Sequence, residues 1–315
     1  MVSIGKIYLF FAFLLAGTSV VTARILSDSL GVFTLTALSL GILLLCLLPF
    51  YLNRTIRTVR AFKKTDWILI LLQATFGIFL FRVFLLLGLH FTSTGEAGIM
   101  TGASPALTSV LAFCFLKEPL LKKTGLGIGC TVAGIMLLQG AGDHLHVSLH
   151  HLGGNAWVLC AAASESIFNV VAKSQSTARH SSQEIHPMAQ TLLVAAGAFL
   201  LSLLPALFEH PVTTIKAIGM EDWIALIWYG LVVTALSYAC FFAGVKRTDA
   251  YTAAAFSGLM PVTAMLLSAL LLGERTGFAS WVGCAFVFLG MLQIYSTNPN
   301  QNALPNSTLE PEGRF

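Results

Sequence analysis

Apolar residues run along this chain in long stretches separated by short polar links. Ten stretches approach or reach the roughly 20 residues that a helix needs to cross a bilayer. They predict helices at about 4–23, 31–52, 67–89, 94–116, 121–139, 153–172, 187–208, 223–245, 250–272 and 277–296. Most links are short, so neighbouring helices should run antiparallel. Val21-Thr22-Ala23 loosely resembles a signal cleavage site, but the run before it is long enough to span, and the segment is expected to be retained. Residues 297–315 are polar and rich in Asn and Pro, which predicts a disordered tail.

Charge in the links sets the orientation. With the N-terminus in the cytoplasm, the inner side collects Lys6, Arg54, Arg57, Arg60, Lys63, Lys64, Lys117, Lys122, Lys123, Lys173, Arg179, Lys246, Arg247 and Arg314. The outer side holds Arg24, Lys216 and Arg275. That asymmetry predicts both termini in the cytoplasm and an even number of spans. Arg82 is the one remaining cation and falls inside a predicted helix.

A second pattern lies over the first. Shifted by 156 residues, 66–138 matches 222–294 without gaps. Asp66-Trp67-Ile68 meets Asp222-Trp223-Ile224, Gly88 meets Gly244, Thr92 meets Thr248, and Gly102 meets Gly258. Pro105 meets Pro261, Glu118 meets Glu274, Gly127 meets Gly283, and Gly134 meets Gly290. Shared hydrophobicity does not explain matches concentrated in Gly, Pro, Trp and acids. At an offset of 149, Ala23-Arg24 also meets Ala172-Lys173. The chain therefore divides into a first repeat, 1–140, an outer loop, 141–152, a second repeat, 153–296, and the tail. Five helices per repeat is odd, so the second repeat enters the membrane from the opposite side. Such an inverted pair supplies two near-equivalent conformations, the physical basis of alternating access.

Composition narrows the class. Hydrophobic residues make up 56% of the 315 and charged residues 10%, with mean hydropathy +0.82. A soluble domain carries about 25% charged residues, so this surface must face lipid. The net charge of +4 points to no nucleic-acid partner. The six cysteines lie in apolar segments without a CxxC pair, which argues against disulfides or zinc. His144, His146, His150 and His151 match no firm metal motif and read as a solvated loop, so neither metal nor cofactor is expected.

Leu89-His90-Phe91-Thr92-Ser93, leading to Gly102-Ala103-Ser104-Pro105 and then Lys117-Glu118-Pro119, sets out the first repeat. Ser257-Gly258-Leu259-Met260-Pro261, Leu272-Gly273-Glu274-Arg275, Gly283 and Gly290 set out the second. Over about 4–296 these resemble the paired EamA domains of the drug/metabolite transporter superfamily. The pattern is a proline-bearing helix, a Gly-Glu-Arg-like turn and a glycine-rich helix. The second half follows it closely; the first has Lys-Glu-Pro at the turn and only Ala16-Gly17 where a Trp-Gly start is common. The resemblance implies a central cavity between helices 1, 3, 4, 6, 8 and 9, helices 5 and 10 at the periphery, and a bacterial inner-membrane location.

Several residues stand out on their own chemistry. A charge inside a spanning helix costs on the order of 3 kcal/mol, so Arg82 should face a cavity or a partner. Its fork suits a carboxylate or phosphate; an ion pair or snorkelling is the structural alternative. Its counterpart is the uncharged Tyr238, so the repeat symmetry breaks there. Glu165 sits mid-helix, where it could carry a proton, hold an amine or pair with Arg82, and Asn169 follows one turn later. Glu96 competes as the partner of Arg82. Pro105 and Pro261 should kink their helices, and Glu118 and Glu274 should fix helix-end loops. Arg24 and Lys173 read as snorkelling cations.

These features predict an all-α membrane protein of ten transmembrane helices in two inverted five-helix repeats. Secondary transport of small polar metabolites, amino acids or related compounds, is the leading function; the family leans to export and protons are a candidate coupling ion. Efflux of hydrophobic or cationic toxic compounds is the alternative. An intramembrane enzyme would need a catalytic pair that the spans do not supply, and a non-transporting membrane protein would not need the repeat. A monomer is expected, although the glycine faces would also suit a dimer.

Overall fold

The computed structural model describes residues 4–116, 122–140, 149–178, 185–248, 250–274 and 277–295. Glu118, His144, His146 and the 297–315 tail lie outside the described residues. The helices are α1 (Ile4–Ser27), α2 (Val32–Arg60), α3 (Lys64–Leu89), α4 (Thr94–Thr101 and Ser104–Leu116) and α5 (Lys122–Gly140). They continue with α6 (Leu149–Ala178), α7 (Pro187–Ala206), α8 (Met220–Val245), α9 (Ala250–Ser257 and Leu259–Leu271) and α10 (Phe278–Tyr295). A short surface helix, Pro211–Ala217, precedes α8. No strand occurs among the described residues.

Among the described residues, seven helices are long and apolar enough to cross a membrane: α1, α2, α3, α4, α6, α7 and α8. The apolar parts of α5, α9 and α10 are shorter: Gly125–Gly134, Leu259–Leu271 and Phe278–Gly290. Two helices outrun their apolar stretches. α2 continues from about 52 to Arg60 on a polar, basic surface, and α6 begins at Leu149, inside the expected loop.

Contacts at matched positions account for the repeat. Gly134 of α5 packs so tightly that a Cβ would lie 2.6 Å from the Gly283 carbonyl oxygen. Reciprocally, a Cβ on Gly290 of α10 would lie 2.5 Å from the Gly127 oxygen. Residue 127 faces 290 while 134 faces 283, so these equivalent helices run antiparallel about a pseudo-two-fold axis. A larger side chain would force them apart, hence glycine at all four positions. The same reciprocity joins α3 to α6 and α8 to α1: Gly88 abuts the Gly154 carbonyl, and Gly244 abuts the Gly5 carbonyl.

The matched polar residues have local jobs. Asp66 and Asp222 each accept the backbone N–H three residues back, from Lys63 at 2.8 Å and Gly219 at 3.0 Å, closing the first turns of α3 and α8. The Arg24 guanidinium donates to the Leu89 carbonyl at 2.8 Å, and the Lys173 ammonium donates to Thr248 at 2.6 Å and Val245 at 3.4 Å. Both cations thus cap helix ends, of α3 and of α8, where carbonyls lack intrahelical partners.

Two features were not expected. α3 and α8 each relax into π-helical winding, over Gln73–Leu80 and Trp228–Leu236. The two segments coincide under the 156-residue shift. π-Helical turns are rare and concentrate at functional sites. The prolines also act differently from simple kinks. α4 stops at Gly102 and restarts at Ser104, with Pro105 in the first turn of the new segment. α9 breaks in the same way at Gly258, with Pro261 third in the next segment. Proline lacks the N–H that an initial turn leaves unused, so it fits a restart without losing a bond.

Candidate functional site

The two π-helical segments face each other across a cavity between the halves. α1, α3, α6 and α8 wall it, and Met260 of α9 closes one side. The room for the centres of water-sized molecules is ≈ 60 Å³, several times the roughly 10–15 Å³ that one water requires. Most of the lining is apolar or aromatic: Phe13, Ile78, Phe81, Phe168, Val233 and Phe241. Phe168 also packs on Tyr238, with ring centroids 5.3 Å apart.

Arg82 reaches this cavity from the turn after the α3 π-segment and is 4% exposed. Nη1 donates to Ser39 Oγ of α2 at 2.8 Å, and Nη2 donates to Thr234 Oγ1 of α8 at 2.5 Å. The guanidinium carbon lies 4.1 Å from the centre of the Tyr229 ring. Among the described residues its partners are therefore two hydroxyls and an aromatic face, with no carboxylate. The structural alternative, an ion pair with Glu165 or Glu96, is not formed among the described residues. At most two of five N–H donors are used in these side-chain bonds.

Glu165 lines the same cavity from α6 and accepts from Ser104 Oγ, in the restart of α4, at 2.7 Å. Asn169, 5% exposed, is also in the lining, and neither its Nδ2 nor its Oδ1 has a partner among the described residues. Tyr238 is present too, but its hydroxyl donates to the Gly77 carbonyl within the α3 π-segment. Arg82, Glu165, Asn169 and Tyr238 thus share one cavity. Glu96 is elsewhere, in the first turn of α4, accepting from Thr92 Oγ1 at 2.7 Å.

Three contributors escaped sequence reasoning. Ser39, Thr234 and Tyr229 hold Arg82, yet each is an ordinary apolar-helix residue in sequence. The hydroxyl of Ser19 on α1 is also in the lining, without a partner among the described residues.

Glu274 lies outside the cavity. Its carboxylate accepts the N–H groups of Thr94 at 3.2 Å and Gly95 at 2.9 Å, and Ser268 Oγ donates to it at 2.6 Å. It therefore caps a helix of the other half as well as its own loop. Burial alone would push this carboxyl up, but the hydrogen bonds from Ser268, Gly95 and Thr94 outweigh it and hold the group below its usual range. Glu209 caps the start of α2, its carboxylate accepting the N–H groups of Phe33 at 3.2 Å and Thr34 at 2.7 Å.

A family model described as the EamA-like transporter family matches residues 3–139 and 152–296. The chain belongs to the EamA-like transporter family. Each match covers one repeat, as the pseudo-two-fold contacts require. An uncharacterized transporter of Bacillus subtilis (strain 168), YetK, is 30% identical over 298 residues, covering 93% of this chain and 87% of the relative. A probable terminal-alkyne amino-acid exporter of Streptantibioticus cattleyicolor is 25% identical over 75% of each chain. A probable amino-acid metabolite efflux pump of Salmonella typhimurium is 26% identical over 62% of this chain and 66% of its own. A solved crystal structure superposes with a TM-score of 0.66 at 19% identity, covering 95% of this chain and 99% of the other, which supports the fold. Family membership makes this a multi-pass transporter of the plasma membrane.

Proposed function

We propose that the chain is a secondary transporter of small zwitterionic metabolites, amino acids or close relatives, working by alternating access. Ten helices span the membrane in this reading, with inverted halves and both termini in the cytoplasm. The observation that carries it is Arg82: a buried cation, facing a cavity between the halves, with hydroxyls and a ring for partners. A substrate carboxylate completes it, using the N–H donors left on the fork. Glu165 receives the substrate amine or, in its absence, a proton, and Asn169 hydrogen-bonds the bound molecule. The named exporters among the relatives support a metabolite leaving the cell.

Purified protein tests this by ligand-induced thermal stabilisation across amino acids, organic anions, sugar phosphates and lipophilic cations. Binding to the native state raises apparent stability by mass action. A zwitterion or anion signal that disappears in Arg82→Met is the expected result. A signal from lipophilic cations alone, surviving Arg82→Met and lost in Glu165→Gln, would overturn it in favour of toxic-compound efflux, for which the aromatic lining would serve.

A further inference from the structure

Among the described residues, four of the six buried polar side chains in the cavity lining, Arg82, Glu165, Thr234 and Ser237, have hydrogen-bond partners inside the protein. Ser39 donates to the Thr36 carbonyl, Thr234 to Tyr229, Ser166 to Ala162 and Ser237 to Ala12. On α1, Thr18 donates to Leu15 and Thr22 to Thr18. Ser19 lies between them on the same helix, 4% exposed, and leaves its hydroxyl unpartnered among the described residues. Asn169 does likewise with both ends of its amide. Thr34, Thr94, Thr108, Asn155, Gln175 and His186 also keep an unpartnered buried atom among the described residues, but Ser19 and Asn169 are the two that line the cavity, where a ligand can reach them.

We propose that Ser19 and Asn169 are specificity-determining residues that read a hydroxyl on the substrate. The preferred class is then a zwitterion with a hydroxyl-bearing side chain, rather than an aliphatic one. This rests on the zwitterion reading above. Once a carboxylate takes Arg82 and an amine takes Glu165, Ser19 and the Asn169 amide still lack partners. The cavity has room for water to serve them when substrate is absent. An aliphatic side chain would displace that water and return no hydrogen bond, which loses affinity. A hydroxyl both donates and accepts, so it can serve either residue. A site built around such a group discriminates against the analogue that lacks it far more strongly than an apolar pocket discriminates by size.

The test is the affinity of the purified protein for three near-isosteric pairs of increasing size: serine and alanine, threonine and valine, tyrosine and phenylalanine. Each pair is measured with wild type, Ser19→Ala and Asn169→Leu. In at least one pair the hydroxylated member should bind about tenfold or more tightly to wild type. That ratio should fall to about threefold or less in Ser19→Ala or Asn169→Leu. Equal binding within every pair, with binding still lost in Arg82→Met, overturns this inference and leaves the zwitterion reading standing. A hydroxyl preference unchanged in both variants also overturns it. No binding of any pair member overturns both readings.

Discussion

Replacing Arg82 by Met should leave the empty protein as stable as wild type, or slightly more stable, while destroying its binding site. Arg82 makes two charge-assisted hydrogen bonds, each worth about 1.5–3 kcal/mol. Its contact with the Tyr229 ring adds about 2 kcal/mol when desolvated. Against this stands the cost of taking a guanidinium out of water, several kcal/mol after relaxation. The opposing terms are of similar size, and no carboxylate tips the balance. Removing the guanidinium also strands little. Ser39 Oγ still donates to Thr36 at 3.1 Å and Thr234 Oγ1 to Tyr229 at 2.8 Å, so each hydroxyl loses only a bond that it accepted.

Methionine fills much of the arginine stem and carries no charge. Thermal unfolding of detergent-purified Arg82→Met, without substrate, should therefore agree with wild type to within about 1 kcal/mol, or exceed it. Binding should behave oppositely. Losing one partner of a buried charge pair costs about 2–5 kcal/mol, so a carboxylate ligand should weaken by more than about thirtyfold. A ligand that stabilises wild type should then do nothing measurable for the variant at the same concentration. An empty Arg82→Met protein destabilised by more than about 3 kcal/mol would refute this reasoning, because Arg82 would then be a structural tie. Undiminished ligand stabilisation would refute it equally.

Other perturbations give separate readings. In proteoliposomes, Glu165→Gln should abolish uptake driven by a pH gradient and also weaken counterflow exchange of substrate, because one carboxylate takes both the proton and the substrate amine. Gln73, Gln175 and Gln190 form a buried amide triad with bonds of 2.7, 2.9 and 3.0 Å; Gln73→Leu or Gln190→Leu should each cost about 1–3 kcal/mol, and the double variant less than their sum. The Glu274 carboxyl is held below its ordinary range in the fold, so its cap on α4 contributes fully above the unfolded value and is lost as pH falls through the folded one; Glu274→Gln should flatten that acid-side loss in a melting-temperature series. Gly134→Leu and Gly290→Leu should each separate α5 from α10 and lower stability comparably, because each would push a side chain into a backbone carbonyl.

How much of this could be read from sequence follows from the range of each interaction. The apolar helices and the repeat were legible because apolar burial acts on every residue of a helix, and because close helix contact demands glycine at matched places. Arg82 and Glu165 were legible because ionisable groups inside apolar runs are costly and need a reason. The Asp-Trp match was visible, but its cause, a carboxylate closing a first turn, needed coordinates. The π-helical segments were not legible: Gln73–Leu80 has no glycine or proline signal distinguishing it from α-helix beyond Gly77. Nor were Ser19, Ser39 and Thr234, since a serine or threonine in such a helix usually bonds back to its own backbone. Whether it does so depends on neighbours far away in sequence. Glu96 differs: its partner, Thr92, is only four residues back, and it lies outside the cavity lining.

The pseudo-symmetry is kept and broken in different places, and the division has a physical logic. Contacts that hold helix to helix are kept: Gly134 with Gly290, Gly88 with Gly244, Arg24 with Lys173. In a protein that exchanges two conformations by swapping the roles of its halves, equal packing keeps the two states near in energy, so a substrate's modest differential affinity can shift them. At the cavity the matches fail. Arg82 corresponds to Tyr238, Gln73 to Tyr229, and Ser19 to Phe168. A zwitterion has one carboxylate and one side chain, so a two-fold symmetric site would present two cations to one anion and leave the second unpaired. Under the proposed reading, unmatched residues in the lining give a directional site between halves whose helix contacts match. The tyrosines that replace Arg82 and Gln73 are not idle in this arrangement. Tyr238 ties the halves through Gly77, and Tyr229 supports the guanidinium of the opposite half.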